Sequence, residues 1–97
     1  MSEDVKMAFL KNGLTLRLTD IVPTKQVTAN MRTTVKYKQI ASSVAEVGII
    51  EPLVVYPLAG QAGKYVLLDG HFRLDVLKQR QEIEALCIVS TEEEGFI

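Results

Sequence analysis

Leu14, Leu16 and Leu18 alternate with Thr15 and Arg17, the period of two that a half-buried β-strand over 14–18 requires. Thr19-Asp20-Ile21-Val22-Pro23 breaks that pattern: Pro23 restricts Val22 and marks a turn or irregular segment, and the polar stretch 24–32 reads as a loop. From Thr33 or Thr34, either of which can cap a helix, the apolar spacing changes to three and four. Tyr37, Ile40, Ala41, Val44 and Val47 then share one face, and Gly48 follows where a helix closes in a left-handed turn. Beyond Ile49-Ile50-Glu51-Pro52, the β-branched and aromatic run Leu53-Val54-Val55-Tyr56 predicts a strand ended by Pro57. Ala59-Gly60-Gln61-Ala62-Gly63 is a hairpin-like loop leading to a strand over 64–68. Asp69-Gly70 interrupts it and opens a helix over 71–81, with Leu74, Val76 and Leu77 inward and Lys78, Gln79 and Arg80 in water. A strand over 85–89 closes the pattern. This order predicts an α+β fold, a small mixed sheet with helices packed on it, rather than a doubly wound nucleotide fold.

The chain has 97 residues, enough for one compact domain. Residues 1–12 read as a flexible arm, 13–90 as the domain, and 91–97, with Glu92-Glu93-Glu94 before Gly95-Phe96-Ile97, as the start of a linker to a further region. The net charge of −1 lacks the basic excess of a nucleic-acid-binding domain, so a role on DNA needs another domain or a local patch. Cys87 is the single cysteine, which excludes an internal disulfide and a cysteine zinc site; its apolar run, Ala85 to Val89, predicts a buried structural thiol. No apolar stretch is long enough to span a membrane and no signal sequence opens the chain, which predicts a cytoplasmic protein.

Candidate chemistry concentrates in Leu68-Asp69-Gly70-His71-Phe72-Arg73-Leu74. The first amides of a helix lack internal partners and sit at the positive end of its dipole. Gly70 carries no side chain to block a ligand, and His71 and Arg73 fall within the first turn, where a guanidinium fork suits phosphate oxygens. Together these predict an anion site, with phosphate as the expected anion. The plainer alternative is that Asp69 caps the helix and Arg73 pairs with a surface carboxylate. Arg32 and Lys36 can converge on the same anion or stand as surface charges. Glu51, at the mouth of a strand, can act as a base or approach a metal, or be simply solvated. His71 is the other weak catalytic candidate, and Tyr37 and Phe72 read as packing residues rather than base-stacking platforms. Neither a GxGxxG nor a GxxxxGK[ST] motif is present.

Three segments together resemble the amino-terminal domain of the ParB/sulfiredoxin superfamily: Asn30-Met31-Arg32, the run from Val44 through Gly48-Ile49-Ile50-Glu51-Pro52 to Val55, and Tyr65 through Asp69-Gly70-His71-Phe72-Arg73 to Leu74. The likeness runs from about Leu16 to Val89. It implies a domain that handles CTP, or another nucleotide, with magnesium. It also implies DNA binding through a helix-turn-helix domain outside this chain, a ParA-type ATPase as partner in plasmid or chromosome segregation, and a homodimer in the full-length bacterial protein. The implied site is Gly70, His71, Phe72 and Arg73 with Arg32, and no resident protein-bound metal.

The partition signature is Gly-Glu-Arg-Arg-x-Arg-Ala, of which Gly70 and Arg73 match, while His71, Phe72 and Asp75 replace Glu, Arg and Arg. Loss of two guanidinium groups argues against strong triphosphate hydrolysis, leaving at most weak CTPase-like activity. Sulfiredoxins carry Gly-Cys-His-Arg at this turn, and the absence of that Cys argues against sulfinic-acid reduction. ParB-like kinases of free serine carry Asp-Gly-His-His-Arg, close to Asp69-Gly70-His71-Phe72-Arg73 here, so a small phosphotransferase using His71, Arg73 and Glu51 is the alternative. A ParB-like nuclease is another, with no metal cluster in the sequence to support it.

Overall fold

Thr34 is extended (φ −74°, ψ 155°) and its hydroxyl oxygen accepts the Tyr37 N–H at 3.2 Å, so the first long helix, α1 (Val35–Val47), starts after Thr34 rather than Thr33. A short 3-10 turn, Met31–Thr33, leads into it. Gly48, at φ 81°, closes α1 by donating its N–H to the Val44 carbonyl. The computed structural model describes residues 13–48 and 51–90. The predicted arm over 1–12, the pair Ile49-Ile50 and the connector over 91–97 lie outside the described residues.

Five strands form one sheet in the order β1-β5-β3-β4-β2: β1 (Gly13–Arg17), β2 (Ile21–Val22), β3 (Leu53–Pro57), β4 (Tyr65–Asp69) and β5 (Glu84–Val89). β1 runs antiparallel to β5 and β3 antiparallel to β4, whereas β3–β5 and β4–β2 are parallel, so the sheet is mixed as expected. The second helix, α2 (His71–Gln79), connects β4 to β5. Leu53 and Val55 of β3, Leu67 of β4 and Ala85 and Cys87 of β5 alternate onto one face. They form a single buried cluster with Tyr37 and Val44 of α1 and Leu74, Val76 and Leu77 of α2. The Cys87 thiol lies fully inside it, and burial pushes its pKa up to about 11.

Four details depart from the pattern-based expectations. Leu18 leaves the first strand for a 3-10 turn, Leu18–Asp20, because its N–H bonds the Ile83 carbonyl. Ile21–Val22, expected to be irregular, forms strand β2 by pairing with Tyr65 and Val66. Val47 is 67% exposed, so four of the five periodic residues, Tyr37, Ile40, Ala41 and Val44, meet the core. α2 ends at Gln79, not 81, since Gln81 takes a left-handed φ of 61° and the Glu82 N–H turns back to the Leu77 carbonyl.

Three contacts join the helical layer to itself. Arg32 holds Asp75 of α2 with two parallel hydrogen bonds of 2.9 Å, Nε to Oδ2 and Nη2 to Oδ1. The Tyr37 hydroxyl donates to the same carboxylate at 2.6 Å, and the Tyr37 ring meets Phe72 edge-on at 5.3 Å between centroids. The hydrogen bonds from Arg32 hold the Asp75 carboxyl below its usual range, while burial pushes the Tyr37 hydroxyl up.

At the β4–α2 junction, Gly70 takes φ 103°, and a Cβ there would lie 2.8 Å from Leu53 Cδ2. Gly70→Ala should therefore destabilise the domain by at least about 2 kcal/mol, from left-handed strain plus the clash, as measured by urea unfolding. Because the folded-state pKa of Asp75 is depressed, its contribution is present above the ordinary carboxylate value of about 4 and is lost as pH falls through the lower folded value. Asp75→Asn should lower the melting temperature at neutral pH and flatten the acid limb of the stability profile. Tyr37→Phe should cost about 1 kcal/mol and flatten the acid limb less than Asp75→Asn does, since it removes only one of the hydrogen bonds that depress the Asp75 pKa.

Candidate functional site

β4 runs directly into α2 with one residue between them. The register of β4 against β3 shifts at Val54/Val55, with Val54 opposite Asp69 and Val55 opposite Leu67, so Leu68 is the extra residue of a bulge. The strand end is thereby re-aimed just before Gly70, whose positive φ turns the chain into the helix. Gly70 itself is the N-cap, with no side chain capping the helix, and the first intrahelical bond runs from the Leu74 N–H to the Gly70 carbonyl at 2.8 Å. The amides of His71, Phe72 and Arg73 precede that bond and carry the positive end of the helix dipole.

A groove of about 310 Å3 opens at this helix start, lined by Gly70 to Arg73 and Asp69 on one side and by the 25–27 loop, Met31, Lys36 and Ile40 on the other. Lys25, Lys36 and Arg73 bring positive charge to it, and Asp69 negative charge. No group of three His, Cys, Asp or Glu side chains able to hold a metal ion occurs among the described residues.

Arg73 is deeply set, with its side chain 17% exposed. Its Nη1 donates to Glu51 Oε1 at 3.2 Å and its Nη2 lies 3.6 Å from Asp69 Oδ2, while Nε is buried with no hydrogen-bond partner. Glu51 and Asp69 are 77% and 64% exposed, so water screens both pairings and a ligand oxygen can compete with them. The plainer expectation for Arg73, pairing with a surface carboxylate, describes its contacts here. Asp69 caps nothing; its carboxylate turns to Arg73 instead. The space beside Gly70 is also filled by the protein itself, since Leu53 and Arg73 occupy the place of a side chain.

His71 Nε2 lies 3.3 Å from the Thr24 backbone N–H and 3.0 Å from Thr24 Oγ1. A backbone N–H can only donate, so Nε2 accepts and the proton of the neutral ring sits on Nδ1. Burial, then the neighbouring Lys25, lowers the His71 pKa from its ordinary value, against an opposing pull from Asp69.

The structure separates residues that the sequence grouped. Lys36 lines the groove, but Arg32 does not: its fork is committed to Asp75, and it borders an adjacent hollow with His71 and Lys78. Glu51 approaches the site through Arg73 alone. Phe72 lines the groove while its ring packs on Tyr37. Thr24, Lys25 and Gln26 were hidden in an apparently featureless polar loop. The available signal was Val27, the one apolar residue among 24–28, which packs against the core.

Among solved structures, the C-terminally truncated chromosome-partitioning protein ParB from Caulobacter crescentus, complexed with CTP-γ-S, superposes with a TM-score of 0.67 at 14% identity, over 87% of this chain and 47% of that one. A free serine kinase in complex with AMP matches with a TM-score of 0.68 at 20% identity, over 82% of this chain and 31% of that one. Sulfiredoxin from Arabidopsis thaliana matches with a TM-score of 0.60 at 17% identity, over 82% and 85%. The chain thus spans about half of the partition protein and about a third of the kinase, and these likenesses carry the fold. Comparison with curated protein sequences gave no match. The sequence matches the ParB N-terminal domain over residues 4–96, nearly its whole length, and the chain belongs to that family.

Proposed function

We propose that this chain is the nucleotide-binding regulatory domain of a ParB-type partition protein, with the groove at the start of α2 as the phosphate site. The observation that carries the reading is the juxtaposition of the uncapped helix start with Lys25, Lys36 and Arg73 around one opening. Three amides at a helix dipole and three cationic side chains suit a polyanion better than a neutral ligand. The apolar part of the lining, Val27, Met31, Ile40 and Phe72, offers a surface for a base or ribose. That the ParB relative is complexed with CTP-γ-S and the kinase relative with AMP supports a nucleotide at this fold's site. Magnesium would arrive on the phosphates, because the described residues offer no ligand cluster for it. In this reading DNA contact belongs to a domain beyond the chain, in keeping with the net charge of −1, and a ParA-type ATPase acts on the cytoplasmic full-length dimer.

A second reading, a small phosphotransferase, is favoured by the Asp69-Gly70-His71-Phe72-Arg73 turn and by Glu51 held 3.2 Å from Arg73, an exposed carboxylate beside a phosphate site. Release of ADP or AMP in a screen of small hydroxyl compounds would select it over the regulatory reading.

Isothermal titration of the chain with CTP and ATP, each with and without magnesium, tests the first proposal. Wild type should bind at least one of them. Arg73→Ala should weaken that binding about tenfold or more, and Lys25→Ala and Lys36→Ala each several-fold, with less effect at high salt. No binding of any nucleotide by wild type would remove the reading.

A further inference from the structure

His71 sits where a protonated imidazole would be expected to help attract an anion, yet its bond from the Thr24 N–H requires the neutral ring. Its Nε2 accepts from the Thr24 N–H at 3.3 Å, an interaction that exists only while Nε2 keeps its lone pair. The Thr24 hydroxyl lies 3.0 Å from the same nitrogen and 3.3 Å from the Leu67 carbonyl of β4, so the one threonine touches both the helix start and the strand before it. Three residues on, Val27 packs against the core. Lys25 and Gln26 are suspended between these two anchors and form a wall of the groove.

We infer that His71 is a positioning residue: its neutral imidazole accepts the Thr24 N–H and so holds the Lys25-Gln26 wall against the start of α2, and its protonation, by removing that bond, loosens the wall. The charged groups around the ring act in both directions. Lys25 from the loop opposes protonation and Asp69 at the end of β4 favours it, while Arg32, Asp75 of α2 and Lys78 border the hollow on the ring's other side. Protonation would set an N–H of the ring against the Thr24 N–H and a cation beside Lys25, so the amide bond is lost and the ring keeps Thr24 only by donating to its hydroxyl oxygen, 3.0 Å away, whose own proton then goes to the Leu67 carbonyl. The lowered pKa of the ring accords with this arrangement. The consequence for ligand binding rests on the groove being the phosphate site; the latch itself does not. Its sign is distinctive, because anion binding should weaken as the histidine gains positive charge.

The chain holds a single histidine, so its imidazole resonances are unambiguous. Nitrogen-15 NMR from about pH 8 to about pH 5 should find the Nδ1–H tautomer at the upper end. Exchange of the Thr24 amide, corrected for its intrinsic pH dependence, should accelerate about fivefold as the ring titrates, the factor of one hydrogen bond. His71→Ala should show the faster exchange at every pH. His71→Gln, whose amide oxygen accepts without titrating, should keep Thr24 protected throughout. An Nε2–H tautomer, or a Thr24 exchange rate indifferent to the titration and to His71→Ala, would overturn the latch. CTP titrations of wild type and His71→Gln across the same range supply the second readout, since both see the same protonation of the nucleotide. Affinity should fall with pH more steeply in wild type, and equal slopes would overturn the coupling to the ligand. Failure of CTP to bind at any pH would instead remove the nucleotide reading, while the ligand-free exchange experiment would still decide the latch.

Discussion

Gly70 is one residue wide, and everything that faces the groove depends on its backbone angle. With φ at 103° it lets β4 pass into α2 without a loop, so the last strand residue and the first helical residues share one spot. Leu53, fully buried, packs its Cδ2 where a side chain would be, and Arg73 closes over from one helical turn above. The junction is thus tight from below and open only toward the loop. Any widening of it would move three amides, the Arg73 guanidinium and the His71 ring together, because all ride on the same first turn.

A second set of contacts determines what the open side meets. Arg32, Asp75 and Tyr37 tie the entry to α1 onto α2, and the 3-10 turn that carries Arg32 also carries Met31 into the groove wall. The family signature has an arginine where this chain has Asp75. The carboxylate therefore replaces a cation and also takes Arg32 out of circulation by a bidentate pair. The groove's positive charge comes instead from Lys25 and Lys36, compact and mobile ammonium groups, with Arg73 as the one planar fork. Such a site favours charge over fixed geometry, which is consistent with binding of phosphate and less so with the tight clamping that hydrolysis of a triphosphate demands.

The two exposed carboxylates on Arg73 give the site a resting arrangement. Glu51 and Asp69 hold the fork in place at little energetic gain, since both are largely in water, and they leave Nε buried without a partner. Under the proposed function, an arriving anion would exchange with them at small cost. The regulatory and the phosphotransfer readings share this step and differ only in whether Glu51, once displaced, has a hydroxyl group to act on.

Local chemistry alone was enough for α1, its start after one of two threonines and its stop at Gly48, for the hairpin from β3 to β4, and for the burial of Cys87, because each follows from spacing or from a conformational preference of the residue itself. The Asp69-Gly70 turn and the helix start after it were legible for the same reason. Strand β2 was not, because two residues carry no period and pair only when β4 is beside them. Nor was the end of α2, where a return hydrogen bond from Glu82 to Leu77 competes with further helical turns. The long-range partners of the polar side chains were decided by the tertiary structure: Arg32 and Asp75 are 43 positions apart and Thr24 and His71 are 47 apart. A side-chain contact depends on distance in space, and no local pattern encodes which distant residue will arrive there.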